Sequence, residues 1–258
     1  MKVDLNCDMG ESFGAWTMGR DAEMLEIVTS ANIACGFHAG DPEVMSFTLA
    51  EAAKNKVHVG AHPSFYDIYG FGRRPILGDS PAHIERQVIY QIGALQALAH
   101  TQGQKLSHVK THGSLGNMAA ENSELALAVA QAIYKVDKDL IMVVMPGMET
   151  ERAALKLGLP LAREIYVDRA YADNGNLLSR KLPGAVLHDA AEASDRMLTM
   201  LDAQAIITAS GKKIPVAIDT LCVHGDTPGA VEMAQQLRQR LEAQGVIFAP
   251  LSEVLARR

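Results

Sequence analysis

At 258 residues and 48% hydrophobic, the chain is long enough to bury the core of one large α/β domain spanning residues 1–258, built mostly from Ala, Val, Leu, Ile and Met because aromatics are only 5%. A formal net charge of −6 supplies no basic stripe for phosphates, which argues against a nucleic-acid binder. Cys7, Cys35 and Cys222 are widely spaced, each within an apolar run, and no apolar run is long enough to span a bilayer, so the expectation is a cytoplasmic protein with reduced, buried thiols and no membrane role.

The chain opens on a strand-like run, VDLNCD, with no charged-then-apolar leader before it. The turn NCDMGESFGAW follows, and then a second strand, NIACGFH. Asp41-Pro42 signals a helix start. That helix carries Val44, Phe47 and Glu51 and ends near Asn55. VHVGAHP is the third strand, and the glycine-flanked loop YGFGRRP comes next. Ser80 as N-cap and Pro81 open a long helix to about residue 103, with Ile84, Val88, Ile92 and Leu95 at helical spacing. HVKTHG, LIMVVMPG and REIYVDRAY are further strands. Residues 171–185 form a long polar connection, either a lid or a plain surface loop. ITASGKKIPV reads as a small hairpin before the last strand, TLCVHGD. Thr227-Pro228 opens a final helix to about residue 244.

Strand and helix alternating in this way mean a parallel sheet wrapped by helices. Seven such units predict a closed or nearly closed seven-stranded β/α barrel, with an open doubly wound sheet as the alternative. No G-x-G-x-x-G follows the first strand, which weakens a dinucleotide-binding reading. No phosphate loop and no G-x-S-x-G elbow occur; SGKK is a turn.

Four strands share one design: each ends in a histidine followed at once by Gly, Ala or Pro. These are His38, His62, His112 and His224. In a parallel β/α protein such ends gather at one face, where ligands bind. Side-chain alternation adds to this. Asp4, Asn6 and Asp8 share one face of the first strand, Asn32 and His38 one face of the second. His58 and His62 align on the third, and His108, Lys110 and His112 on the fourth. Each strand thus has an apolar side for the helices and a polar side for the interior. A hydrogen-bonded internal network is the plain reading, strongest for His58 and His108, which sit deeper. His83, His100 and His188 fall on helices or loops.

Asp8 with His62 and His112 is an aspartate-plus-two-histidine set able to hold a divalent metal. Without a metal, the same groups serve as acid and base. Lys110 would then pair with Asp8 or Glu11 and stabilise a developing oxyanion. Arg73 in the glycine-flanked loop and Arg169 in DRAY are candidates for a carboxylate or phosphate. Helix starts after His38 and His224 aim amides at the same mouth. Together these features predict a small anionic substrate.

VDLNCDMGESFGAW, TSANIACGFHAGDP, GAHPSF, GFGRR, YQIGAL, HVKTHGSL, DRAY and CVHGDTPGAV together resemble the LamB/YcsF family over essentially the whole chain. The resemblance implies a distorted seven-stranded barrel similar to polysaccharide-deacetylase-like enzymes. It implies the A-subunit role in ATP-dependent cleavage of 5-oxo-L-proline to L-glutamate by a 5-oxoprolinase, alongside partner subunits B and C; the missing phosphate loop points to B and C as the main handlers of the nucleotide. On that basis Asp8, Glu11, His62, Lys110 and His112 are the expected catalytic residues. Asn6, His38, Arg73, Asn117, Arg169 and His224 are the expected substrate-binding residues, and Asp8, His62 and His112 the matching metal set. KTHGSLGN departs from the family pattern: Thr111, Ser114 and Gly116 stand in place of Pro, Ala and Tyr, which is expected to widen the pocket or alter substrate fit. The competing readings are a stand-alone metal-dependent amidohydrolase or deacetylase, and a non-catalytic subunit that presents substrate to its partners.

Overall fold

A computed structural model describes residues 1–225 and 229–256. The first strand is β1 (Lys2–Met9), followed by a short helix α1 (Asp21–Met24) and β2 (Ser30–Ala34). Helix α2 (Pro42–Asn55) starts where Asp41 predicts it: the Asp41 carboxylate accepts the amides of Glu43 at 2.9 Å and Val44 at 3.0 Å, a cap that contributes about 1 kcal/mol. After β3 (His58–His62), the Ser80 hydroxyl caps α3 (Pro81–Thr101). Then come β4 (His108–Val109), α4 (Gly113–Glu121), α5 (Ser123–Val136), β5 (Ile141–Val144), α6 (Glu149–Leu157) and β6 (Leu161–Tyr166). The chain continues through α7 (Ala190–Ala203), the antiparallel hairpin β7 (Ala205–Ile207) and β8 (Lys213–Pro215), then β9 (Thr220–His224) and α8 (Ala230–Ala243). It ends in β10 (Ile247–Phe248) and α9 (Leu251–Leu255).

Strands β1 to β6 and β9 pair in parallel, in the order 1-2-3-4-5-6-9, and β9 pairs back onto β1. The result is the closed seven-stranded barrel, not the open sheet, so every strand's C-terminal end lies at one mouth. Strand β10 joins only the start of β1, through Lys2–Ile247 and Val3–Phe248.

Alternation along each strand separates two interiors. Val3, Leu5, Cys7 and Met9 of β1 join the main apolar core with α2, α3, α5, α7 and α8 side chains such as Leu49, Ile92, Ile133, Met197 and Leu237. Asp4, Asn6 and Asp8 turn the other way, into the barrel. There Asp4 accepts the hydroxyls of Thr29 at 2.6 Å, Ser30 at 2.7 Å and Thr220 at 2.5 Å. At one level of the barrel a smaller apolar cluster of Ile141, Val143, Ala162 and Leu251 replaces polar pairing, with α9 supplying the leucine. No helix among the described residues is long and apolar enough to cross a membrane.

Several boundaries differ from the sequence expectation. Strand β2 stops at Ala34 and does not reach His38. Gly36 adopts φ +93°, its amide bonds the Ala39 carbonyl at 2.8 Å, and the chain turns out of the sheet. Strand β4 holds only two residues, so Lys110 and His112 lie beyond it. Strand β6 starts two positions before Arg163 and stops at Tyr166, leaving Asp168 and Arg169 in the following segment. The elements after residue 244, β10 and α9, carried no periodic signal. The Thr227-Pro228 helix start lies outside the described residues; α8 is described from Ala230.

Candidate active site

The mouth of the barrel is built on a buried ammonium. Lys110 reaches back from the end of β4 to lie 2.9 Å from Asp8 Oδ1 and 2.9 Å from Glu164 Oε1. It also donates to Cys222 Sγ at 3.0 Å and Asn6 Oδ1 at 3.3 Å. Burial opposes the charge, but the Asp8 and Glu164 carboxylates hold Lys110 well above the ordinary lysine range. Of the two expected pairings, Lys110 with Asp8 is present; Glu11 turns instead to the histidines. Asn6 and Asn32 support the arrangement from below. Asn6 Nδ2 donates to Glu164 at 3.0 Å, and Asn32 Nδ2 donates to Asp8 Oδ1 at 2.9 Å. His108 Nε2 then lies 2.8 Å from Asn32 Oδ1. This lower tier is the internal network, with His108 in it.

Beside the ammonium lies a histidine cluster. His62 Nδ1 lies 2.7 Å from the Lys110 carbonyl, and His112 Nε2 lies 2.9 Å from the Phe71 carbonyl. Each ring donates one N–H to a backbone acceptor, which turns its second nitrogen inward. His62 Nε2 and His112 Nδ1 are 3.0 Å apart, with Asp8 Oδ2 3.2 Å from the first and Glu11 Oε1 3.2 Å from the second. His38 stacks on His112 at 3.9 Å, puts Nε2 3.2 Å from Glu11, and leaves Nδ1 without a partner. Burial, with His112 beside it, pushes His38 down to about 3, so its ring is neutral. Burial works against ionised Glu11 and Asp8, but hydrogen bonds from His112 and His38 for the first, and the charges of His62 and Lys110 for the second, hold both below the usual carboxylate range.

A cluster so rich in acceptors calls for a cation among them, either a proton or a metal. The ligating atoms of Glu11, His38, His62 and His112 lie within 4.8 Å of one another. The backbone carbonyls behind His62 and His112 are the outer partners that ligating histidines use. The residues therefore fit a divalent metal. The expected residues Asp8, His62 and His112 come together here, with Asp8 Oδ2 3.2 Å from His62 Nε2 and His112 Nδ1 3.0 Å from the same nitrogen, and Glu11 and His38 lie beside the two histidines. Gly72 makes this packing possible. It sits at φ +62°, and a Cβ there would come within 2.8 Å of His112 Cδ2 and 2.9 Å of His38 Cβ.

A cavity of about 450 Å³ opens above this floor. Asp8, Glu11, Lys110, His112, Arg73, Asn117, Arg169 and His224 reach its wall. Asn6, His38 and His62 do not: they are 1%, 1% and 0% exposed and form the layer beneath. His38 thus supports His112 rather than meeting a ligand directly, because the turn at Gly36 carries it off the strand face. Arg169 touches the cavity, but its guanidinium donates to the carbonyls of Leu178 at 2.6 Å and Ala185 at 3.4 Å, so it staples residues 171–185 in place. That connection is a wall: Leu177, Leu178, Ser179, Arg180 and Lys181 all line the cavity. Arg74 pairs with Asp67, while Arg73 lies over the Phe71 ring at 4.8 Å.

At the opposite edge, Asp168 grips His224 Nδ1 with both oxygens at 2.8 Å, and Arg180 lies 3.3 Å from His224 Nε2. Burial disfavours the imidazolium, but the Asp168 charge and hydrogen bond raise His224 above its ordinary value. Glu164, Tyr166, Thr150 and Arg180 were not singled out from sequence. Alternation in REIYVD places Glu164 and Tyr166 together on the interior face, a signal that was available; Thr150 and Arg180 carry none.

Residues 3–256 match the model of the LamB/YcsF family. The chain belongs to the LamB/YcsF family. It is 54% identical over 252 residues to a protein of Rhodopseudomonas palustris named as the A subunit of 5-oxoprolinase, covering 98% of this chain and 99% of that one. A Bradyrhizobium diazoefficiens protein, named as a second such A subunit, is 51% identical over 248 residues, 96% of this chain and 97% of that one. The crystal structure of a lactam utilization protein from Thermus thermophilus superposes with a TM-score of 0.90 at 42% identity, over 96% of this chain and 99% of that one. A putative cellobiose-phosphate cleavage protein from Enterococcus faecalis shares the fold alone, with a TM-score of 0.58 at 13% identity over 98% of each chain. In this LamB/YcsF chain the quoted segments VDLNCDMGES, GFHAGD, GAHPSF and KTHGSL supply the ammonium, its carboxylate partner Asp8 and the histidine cluster.

Proposed function

We propose that this LamB/YcsF chain is the A component of an ATP-dependent 5-oxoprolinase, a hydrolase that opens the lactam of 5-oxo-L-proline to L-glutamate with partner subunits B and C. The observation that carries the reading is the Lys110 ammonium between Asp8 and Glu164 at the floor of a ligand-sized cavity. It is a fixed positive charge where a lactam oxygen would develop negative charge. The names of the relatives supply the substrate.

Ring opening needs water added at the lactam carbonyl carbon and a proton delivered to the ring nitrogen. Asp8 and Glu11, both on the cavity wall, are the acceptors for the water's proton. Lys110 stabilises the oxyanion. His224, held by Asp168, is the donor to the departing nitrogen. A five-membered lactam resists opening, and this chain has no phosphate loop, so ATP binding and transfer of the γ-phosphoryl group to the lactam oxygen fall largely to B and C; ring opening then leaves glutamyl phosphate, which a second water cleaves to L-glutamate and phosphate. A divalent metal, where bound, is held by Glu11, His38, His62 and His112 and supplies Lewis-acid polarisation.

The test reconstitutes the chain with subunits B and C and follows glutamate release with and without ATP. Release only with ATP and all three components supports the reading. Release by this chain alone, abolished by chelator, would instead establish a stand-alone metal-dependent amidohydrolase, the reading that the inward-turned imidazoles of His62 and His112 favour.

A further inference from the structure

The Lys110 ammonium places charge at the floor of the cavity but has no N–H left to give. A lysine carries three donors. These go to Asp8 Oδ1 at 2.9 Å, Cys222 Sγ at 3.0 Å and Asn6 Oδ1 at 3.3 Å, and Glu164 Oε1 also lies at 2.9 Å. The neighbouring donors are committed as well. Asn6 Nδ2 serves Glu164 and Thr220, His62 gives its Nδ1–H to the Lys110 carbonyl, and His112 gives its Nε2–H to the Phe71 carbonyl. An oxyanion formed here would feel the field of the ammonium and lack a hydrogen bond from it. Developing negative charge is stabilised most by donors already aimed at it.

One hydroxyl beside Lys110 is uncommitted. Tyr166 ends β6 two residues after Glu164, on the same interior face, and pairs in register with Cys222, which accepts from Lys110. Lys110 Nζ lies 5.2 Å from the centre of the Tyr166 ring. His224 stacks on the same ring, with centres 5.8 Å apart and planes 20° from parallel. The Tyr171 hydroxyl accepts the Tyr166 amide at 2.7 Å and fixes the strand end. Tyr166 is half-buried and lines the cavity, and its hydroxyl has no hydrogen-bond partner among the described residues. A tyrosine hydroxyl in such surroundings usually has one. Unlike the wholly buried Thr150 hydroxyl, it keeps exposed surface, so a ligand can reach it. Burial, with Glu164 beside it, holds the phenol well above the ordinary tyrosine value, so it stays a proton donor throughout the neutral range.

We propose that the Tyr166 hydroxyl donates a hydrogen bond to the oxyanion that forms at the lactam carbon during ring opening, which makes it a further catalytic residue. The assignment rests on the 5-oxoprolinase reading and divides its work: Lys110 supplies the charge, Tyr166 the hydrogen bond, and His224 the proton for the ring nitrogen.

The test uses the chain assembled with subunits B and C and compares Tyr166→Phe with wild type at saturating ATP. The substitution keeps the ring and removes one unpartnered oxygen, so the variant folds and its Tm should stay within about 2 °C. Its kcat for glutamate release is expected to fall about 100-fold, with KM for 5-oxo-L-proline within about twofold. That split marks an interaction made only in the transition state. A fall in kcat of less than about tenfold overturns the assignment. So does a raised KM at unchanged kcat, which would make Tyr166 a binding residue only, and so does a kcat loss accompanied by a larger drop in Tm, which would mark the hydroxyl as structural. A wild-type complex that releases no glutamate removes the functional reading itself, and the assignment with it; an active wild type matched by an equally active Tyr166→Phe removes the assignment alone.

Discussion

Replacing Lys110 by methionine tests the electrostatic centre of the site. The substitution keeps much of the side chain's bulk and deletes the charge 2.9 Å from Asp8 and 2.9 Å from Glu164. Both carboxylates are buried, at 8% and 2% exposure, so they cannot recover their solvation. Breaking a buried ion pair from one side costs about 3–5 kcal/mol. For a chain of this size that lowers Tm by roughly 6–20 °C. The loss depends on pH with a definite sign. In the wild type, Asp8 is held low, so its contribution is present above the unfolded carboxylate value and lost only as pH falls through the depressed native value. In Lys110→Met, Asp8 keeps His62 but loses the second charge that opposes its burial, so its carboxyl rises from the wild-type position. Native Lys110→Met then binds more protons than native wild type as pH falls into the carboxylate range, and the gap between them closes there. The gap to wild type is therefore widest near pH 8 and narrower near pH 4. Thermal melts followed by circular dichroism at the two values measure it, and adding Glu164→Gln should recover part of the loss. A Tm equal to wild type at pH 8, or a deficit that ignores pH, would refute the picture of an ammonium held between two ionised carboxylates.

Asp8→Ala or His112→Ala in the assembled complex should lower ATP-dependent glutamate release ~100-fold or more, whereas a chain that only presents substrate would keep nearly full turnover. Asp168→Asn removes the charge that raises His224, so the alkaline limb of the kcat/KM profile should move to lower pH; an unmoved limb would take His224 out of the proton transfer. Elemental analysis of the purified chain should find a divalent metal that His62→Ala and His38→Ala lose, and a metal-free chain that binds none on titration removes the metal from the site. Asp4 is raised to about 6 by burial, against the hydroxyls of Thr220, Thr29 and Ser30. Its contribution to stability is full below the ordinary aspartate value and lost as pH rises through about 6, and a carboxyl-carbon NMR titration should find that midpoint.

Much of this architecture is readable from local pattern. Period-two alternation in VDLNCD separates Leu5 and Cys7 from Asp4, Asn6 and Asp8. Closure of the barrel then makes the second set its interior. His62 and His224 end their strands and His112 follows β4 by three residues, and the three gather because parallel strands end at one face. His38 shows where that logic stops. It reaches the cluster through a turn at Gly36, not along a strand, so alternation gave the right neighbourhood and the wrong layer. Glu164 lay in a readable alternation, but nothing in REIYVD identifies its partner as Lys110. Strand β10 has only two residues, too few for any period.

The set of elements and their polar and apolar faces can be read along the chain alone, because caps, turns and alternation depend on near neighbours. The polar side chains that gather at the barrel mouth were legible for the same reason: buried polar residues on an interior face need partners. The pairing belongs to the fold. It gave Lys110 to Asp8 and Glu164, Glu11 to the histidines, Asp168 to His224, and Arg169 to the backbone of residues 171–185. Those choices follow from strand register, barrel closure and single glycine turns, which bring together groups far apart in the chain and assign each charge to whichever partner lies within hydrogen-bond reach.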